Sequence, residues 1–387
     1  MNSAIRLSIL GAVSIMLLVY GACSQAGART GVVWQWHEGD TELYHAQFSP
    51  DGREIAAVRK RHIPDGFEAG LLPDDQKRER FNRIDLDERY ADPEVIIVEV
   101  DSDRIARIDW GWSPAFSPDG SRIAYAHQVK PISRFRVLAK TLEGNEIRIY
   151  DRNLKTAKTV ASPEEGYLAD PMFSPDGKYL VYSIGGPVNG AYGGNIGLAR
   201  MSIDSGKKQV LCPPFRTDRF ENDRIDQSGY LSDQLFALIR KTVNESEYDC
   251  ELVAVGAKSK VAYSWGRISY VSPTRPAFSQ GAGGEILIKD GAWHTISNNT
   301  PLYTPSAGEK APGVPSPNGL LLAISNESGI SVRELGSGAK VRDWKLAGPL
   351  QSIVWSSDSR RLAVIVSHYR DKEGDLFEFD ELIVLEP

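Results

Sequence analysis

A chain that repeats one strand-turn-strand phrase several times has little freedom in its fold, because each copy can bury its apolar face only against its neighbours. Residues 47–58 read QFSPDGREIAAV, 115–127 AFSPDGSRIAYAH and 172–183 MFSPDGKYLVYS. Weaker copies read VPSPNGLLLAI from Val314 and VWSSDSRRLAVI from Val354. In the second copy Pro118 presets φ for the first corner of a type I turn. Asp119 tolerates the second corner, and Gly120 takes the left-handed conformation that follows. Asp51, Gly52, Asp119, Gly120, Asp176 and Gly177 are therefore read as turn residues, and the three aspartates as structural rather than catalytic.

Turn anchors fall near Phe48, Phe116, Phe173, Ile225, Phe278, Val314 and Trp355, two of them badly worn. After most anchors a β-rich strand leads to a loop of variable length, then to a third and a fourth strand. Blade two runs RIAYAH, EIRIYDRN, KTVAS; blade three YLVYS, NIGLARMSI, KQVLC; blade four LFALIRKTV, DCELVAVG, KVAYSW. Four antiparallel strands per unit without sustained helical periodicity predict an all-β fold, a β-propeller. The count is seven blades, with six as the alternative because Phe278 and Val314 lie close together. The last unit stops one strand short at ELIVLEP, and TGVVWQW at 30–36 is a spare strand; pairing the two closes the ring and hides two sheet edges.

The recurrent FSPDG followed by R-I-A-Y or K-Y-L-V-Y resembles the propeller of the TolB-like family of periplasmic bacterial proteins. The resemblance spans roughly residues 30 to 387 and is specific in the three strong copies. It implies an exported propeller; the α/β domain that precedes the propeller in TolB has no counterpart here, because the first propeller strand starts almost at the cleavage site.

The 387 residues are 41% hydrophobic and 25% charged, with net charge −6 and both signs interspersed. That balance supplies neither a nucleic-acid stripe nor a polybasic membrane patch. Residues 1–28 form a targeting segment, with Arg6 ahead of an apolar run from Leu7 to Tyr20. Two cleavages fit. Val19-Tyr20-Gly21-Ala22-Cys23 resembles a lipobox, with Cys23 lipidated, while Ala26-Gly27-Ala28 fits cleavage before Arg29. The expectation is a periplasmic protein anchored as a lipoprotein, with residues 29–387 as one monomeric propeller domain. Cys212 and Cys250 remain for that domain and are a disulfide candidate in an oxidising compartment.

Propeller geometry sends the SPDG turns to one face and the loops between second and third strands to the other. The long insertions all fall in the second class, at about 60–93, 128–144, 184–194, 241–249 and 368–380. Pro73, Asp74 and Asp75 ahead of Lys77, Arg78 and Arg80 predict a short helix in the longest one. Ring closure sets that insertion beside the loop of the last blade. Phe67, Leu71, Leu72, Phe81, Tyr90, Tyr369, Phe377 and Phe379 then form an aromatic and apolar rim among charges, a candidate surface for an envelope protein or glycan.

Motifs for chemistry are sparse. There is no GxSxG elbow, and the six histidines show no HxH or HExxH spacing. No cofactor is expected. His62, His127 and His368 each follow a second strand, however, and three imidazoles converging there would bind a divalent metal. Asp85, Asp87, Glu88 and Asp92 match no EF-hand, and the Gly-rich stretch 185–195 lacks the helix a phosphate loop requires. The function expected is non-catalytic binding in the cell envelope; the alternative is a metal-assisted propeller enzyme acting on polysaccharide, as lyase or hydrolase.

Overall fold

The computed structural model describes residues 31–38, 41–61, 93–102, 104–129, 145–163, 167–185, 195–212, 224–243, 246–256, 259–269, 277–281, 284–289, 292–295, 301–306, 308–372 and 375–387. Every regular element among them is a strand. Val32–Trp36 (β1) is followed by a seven-stranded sheet in chain order: Thr41–Phe48 (β2), Glu54–Arg61 (β3), Glu94–Glu99 (β4), Ile105–Phe116 (β5), Arg122–His127 (β6), Glu146–Asp151 (β7) and Thr156–Ala161 (β8). Four-stranded sheets follow. Tyr167–Phe173 (β9), Tyr179–Gly185 (β10), Asn195–Ser202 (β11) and Lys208–Cys212 (β12) make one. Arg224–Leu231 (β13), Gln234–Thr242 (β14), Glu247–Ala254 (β15) and Lys260–Ser269 (β16) make the next. Phe278–Gly281 (β17), Gly284–Lys289 (β18), Ala292–Thr295 (β19) and Pro301–Tyr303 (β20) make the third. Glu309–Pro315 (β21), Leu321–Asn326 (β22), Gly329–Glu334 (β23) and Lys340–Lys345 (β24) make the fourth. The last, Leu350–Trp355 (β25), Leu362–Lys372 (β26) and Asp375–Leu385 (β27), takes β1 as its fourth strand.

The arrangement is a β-propeller, and its closure is the one the sequence predicts. β1 runs antiparallel to β27, with Trp34 opposite Val384 and Trp36 opposite Leu382. Trp36 is buried with Leu43, Ile55, Ile365 and Leu382, so the first strand is tied down by apolar contact as well as by the ladder. β5 is long because it serves two ladders: Ile105 to Trp110 pair with β4, and Gly111 to Phe116 pair with β6. Gly111 is needed at that crossing, where a Cβ would lie 2.4 Å from the Ala126 carbonyl oxygen.

Each repeated turn is held by its serine, a role that the turn type alone does not reveal. Ser117 Oγ donates to Asp119 Oδ1 at 2.6 Å and accepts from the backbone N–H of Arg122 at 2.9 Å, while Asp119 Oδ1 accepts from Ser121 N–H at 3.0 Å. Ser49 with Asp51, Ser174 with Asp176, Ser316 with Asn318 and Ser356 with Asp358 repeat the pattern. The Ser117 hydroxyl and the Ser121 amide pull the Asp119 carboxyl down to about 2. Neighbouring turns also touch: Ser357 Oγ donates to the Pro50 carbonyl at 2.6 Å, and Asn318 N–H donates to Ser359 Oγ at 3.0 Å.

Two sequence expectations need correction. The predicted loop at 368–380 is mostly strand, since β26 and β27 pair without a break from Leu362↔Leu385 to Lys372↔Asp375. Tyr369 and Phe377 therefore lie in a hairpin ladder, opposite Glu378 and Arg370. Cys212 and Cys250 are not bridged; both are thiols. Cys212 packs with Ala237, Ile239 and Val253 on one face of the β13–β16 sheet, whereas Cys250 packs with Leu238 and Leu252 on the other. Side chains alternate across a strand, so the sheet itself stands between the sulfurs.

Candidate functional site

The end of the propeller opposite the SPDG turns collects most of the buried charge among the described residues. Arg59 and Glu94 face each other across β3 and β4. Arg59 is 4% and Glu94 7% exposed. Arg59 Nε and Nη2 donate to Glu94 Oε2 at 3.0 and 2.7 Å, and Nη1 donates to Glu38 Oε2 at 2.5 Å. Arg61 Nη2 lies 3.7 Å from Glu94 Oε2, and Arg107 Nε 3.3 Å from Glu94 Oε1. The Arg107 guanidinium also stands 4.1 Å from the Trp110 ring centroid, a cation–π contact.

One step around the ring, Asp109 sits where β5 changes partner. It accepts from Tyr125 Oη at 2.7 Å and from Arg148 Nη1 at 3.0 Å, and its backbone neighbour Trp110 donates at 2.8 Å. His127 Nδ1 lies 3.2 Å from Asp109 Oδ2 and 3.0 Å from the Trp110 carbonyl oxygen. Two acceptors at one ring nitrogen require that Nδ1 carry the proton. Burial would raise the Asp109 carboxyl; the His127 and Tyr125 hydrogen bonds outweigh it and hold the group well below the usual carboxylate range. Burial and the Asp109 charge push the Tyr125 phenol far up. Asp109 is thus a neutralised anchor for its neighbours, poorly placed to act as a base.

Towards the axis, three adjacent inner strands carry a left-handed residue four positions before the turn serine: His45 (φ 51°), Ser113 (φ 50°) and Asp170 (φ 46°). Each sits at a register shift of its ladder. Non-glycine residues in this region are strained, by about 1–3 kcal/mol each. Ser113 Oγ donates to Asp170 Oδ1 at 2.8 Å, joining the second inner strand to the third. Trp112 meets both His45 and Tyr44 edge-on, and Lys60 Nζ stands 5.2 Å from the Trp112 centroid and 5.9 Å from that of Tyr44.

Of the three histidines, the two described ones, His127 and His368, are each engaged by a carboxylate of their own. His127 belongs to Asp109, and His368 Nε2 lies 3.1 Å from Glu381 Oε2 with its ring stacked on Phe379. No three His, Cys, Asp or Glu side chains among the described residues are placed to hold a metal ion. His62 lies outside the described residues, as do Cys23, Phe67, Leu71, Leu72, Phe81, Tyr90, the predicted helix after Pro73, and Asp85 to Asp92. Phe379 is half-buried between His368 and His37. Sequence reasoning missed Arg59, Glu94, Arg107 and the axial trio. The fixed four-residue offset from each turn serine was the signal for the trio.

On the turn face, a cavity of 290 Å³ opens between the second and third SPDG turns, lined in part by Asp119, Arg122, Asp176, Lys178 and Asp204. Asp119 and Asp176 are already engaged by their turn serines, which makes it a crevice between neighbouring turns.

Fold and site define a β-propeller whose two ends differ, one closed by repeated serine-locked turns and one bearing the buried Arg59–Glu94 pair with the Tyr44, Trp110 and Trp112 rings. Among solved structures, the chain is similar to the Cps50 (Swd1) β-propeller domain of Myceliophteria thermophila, at 11% identity and TM-score 0.52, covering 92% of this chain and 100% of that one. It is similar also to a prolyl endopeptidase, at 13% identity and TM-score 0.53, covering 89% of this chain and 50% of that one. The chain thus spans half the length of that peptidase, and both likenesses are to the fold. No protein-family model and no curated protein matches the chain.

Proposed function

We propose that this chain is a non-catalytic binding protein of the bacterial cell envelope, a TolB-like propeller that engages a protein or glycan through the end opposite its SPDG turns. In this reading residues 1–28 export it, Cys23 carries the lipid that anchors it in the periplasm, and residues 29–387 are one monomeric domain. On this reading the propeller has seven blades, with β2 to β5 and β5 to β8 taken as two units that share β5. The propeller fold is consistent with a binding or scaffold role.

The observation that carries the reading is the asymmetry of the two ends. Tyr44, Lys60, Arg61, Arg107 and Trp112 gather at one end on pre-oriented contacts, while the other repeats one serine-locked turn. Rigid strands holding mixed aromatic and charged side chains are the usual build of a recognition surface.

Photo-crosslinking in cells tests it. A photoreactive residue at Tyr44 is expected to give a discrete adduct that one at Leu154, 72% exposed in the turn after β7, does not give. Identical patterns from the two positions contradict the reading. Protease or glycosidase sensitivity of the adduct assigns the partner class. Membrane fractionation of Cys23→Ala tests the address: release into the soluble fraction is expected, and unchanged partitioning and mass rule out the lipid.

A further inference from the structure

Glu94 is overcommitted in positive charge. Arg59 alone gives it two hydrogen bonds, yet two further guanidiniums point at it. Neither makes a well-aligned hydrogen bond: Arg61 stands 3.7 Å away and Arg107 3.3 Å. Arg61 Nε is buried without an acceptor. Among the described residues three guanidiniums face two carboxylates, Glu38 and Glu94, a surplus of one positive charge.

A planar guanidinium with unmade N–H bonds beside a buried carboxylate is costly unless something accepts from it. Arg61 and Arg107 are 36% and 35% exposed, so an incoming acceptor reaches both. Glu94, pinned by Arg59, holds the two at one spot before any ligand arrives, which lowers the ordering cost of binding. The aromatic rings nearby already carry cations, Lys60 on Tyr44 and Trp112 and Arg107 on Trp110. That favours recognition by ion pairing over stacking of a sugar ring.

We propose that Arg61 and Arg107 form a binding site for the side-chain carboxylates of an acidic protein segment. The site rests on the reading of this end as the binding surface and names the chemistry it selects. Two charge-assisted hydrogen-bonding guanidiniums on one carboxylate supply the affinity, and salt weakens it.

The experiment is fluorescence anisotropy of labelled hexaglutamate with the chain purified from cells. Saturable binding is expected, weakened roughly tenfold by Arg61→Gln or Arg107→Gln singly and lost in the double variant. Lys178→Gln, on the turn face, is expected to bind as the wild type does. Arg107→Lys keeps the charge without the planar fork and falls between. Because the Arg107 side chain is half-exposed, this pair of variants reads the site even where changes at Arg61 disturb folding, which thermal melts report. No binding by the wild type, equal binding by the double variant, or tighter binding of an oligogalacturonate through the same arginines overturns the proposal. A Tyr44 adduct without hexaglutamate binding removes this site alone; hexaglutamate binding without an adduct removes the partner reading and leaves the site.

Discussion

Replacing Glu94 by Gln separates a buried ion pair from the exposed ones around it. The amide keeps the shape and one acceptor oxygen but removes the charge that balances Arg59, which is 4% exposed. Removing one partner of a buried pair costs about 3–5 kcal/mol, and here Arg59 would keep only the half-exposed Glu38 as counter-charge. At roughly 2.1 cal/mol/K of unfolding entropy per residue, a fold of this length has roughly 0.75 kcal/mol/K in all, so its melting temperature falls by roughly 4–7 °C. Glu38 touches the same guanidinium but is 42% exposed. Exposed pairs contribute at most about 1 kcal/mol, so Glu38→Gln is expected to shift the melt by roughly 1 °C. Circular-dichroism melts at neutral pH and equal scan rate compare the two. Equal shifts, or a Glu94→Gln shift no larger than that of Glu38→Gln, refute the claim that burial decides the strength of this pair.

Other consequences are as direct. The Asp119 carboxyl is pulled down to about 2 in the fold, against about 3.9 in an unfolded chain. A depressed carboxylate stabilises above its unfolded pKa and loses that contribution as pH falls through the folded one. The gap in melting temperature between wild type and Asp119→Ala should therefore be full above about pH 4 and close towards pH 2; a gap that widens on acidification contradicts it. Gly111→Ala sets a Cβ 2.4 Å from a backbone oxygen where β5 joins β6, and a loss of about 1–3 kcal/mol in urea unfolding is expected; an unchanged midpoint shows that the ladder gives way freely. With no bridge between Cys212 and Cys250, a reductant leaves the melt unchanged. Cys250, fully buried with its thiol pushed up to about 12, stays unlabelled by maleimide until the chain is denatured. A reductant-dependent melt restores the disulfide.

The fold was legible where its chemistry is local. Ser, Pro, Asp and Gly act within about six residues of one another, so each turn is written out in full and survives in weak copies such as Ser316 to Gly319. Closure was legible for a related reason, since an unpaired strand at each end leaves two edges with one economical solution. The hairpin strands at 362–372 and 375–385 were not legible, because a backbone ladder holds them together as far as Lys372 and Asp375 while the sequence there is charged enough to pass for a loop. Counting cysteines says nothing about which face of a strand each occupies, and that alone decided Cys212 and Cys250. The charged cluster lay deepest. Arg59 and Glu94 are 35 residues apart and flank an insertion, so they read as solvated charges until the register sets them opposite one another and brings Arg107 to the same carboxylate from β5. The same reasoning explains why the axial residues went unseen. His45, Ser113 and Asp170 share no chemistry, and only the common left-handed backbone, imposed by a bulge at the same step of each inner strand, makes them equivalent. In a propeller, side-chain identity at such a position is released from the repeat while backbone geometry is kept, so individual sites accumulate there without disturbing the turns that specify the fold.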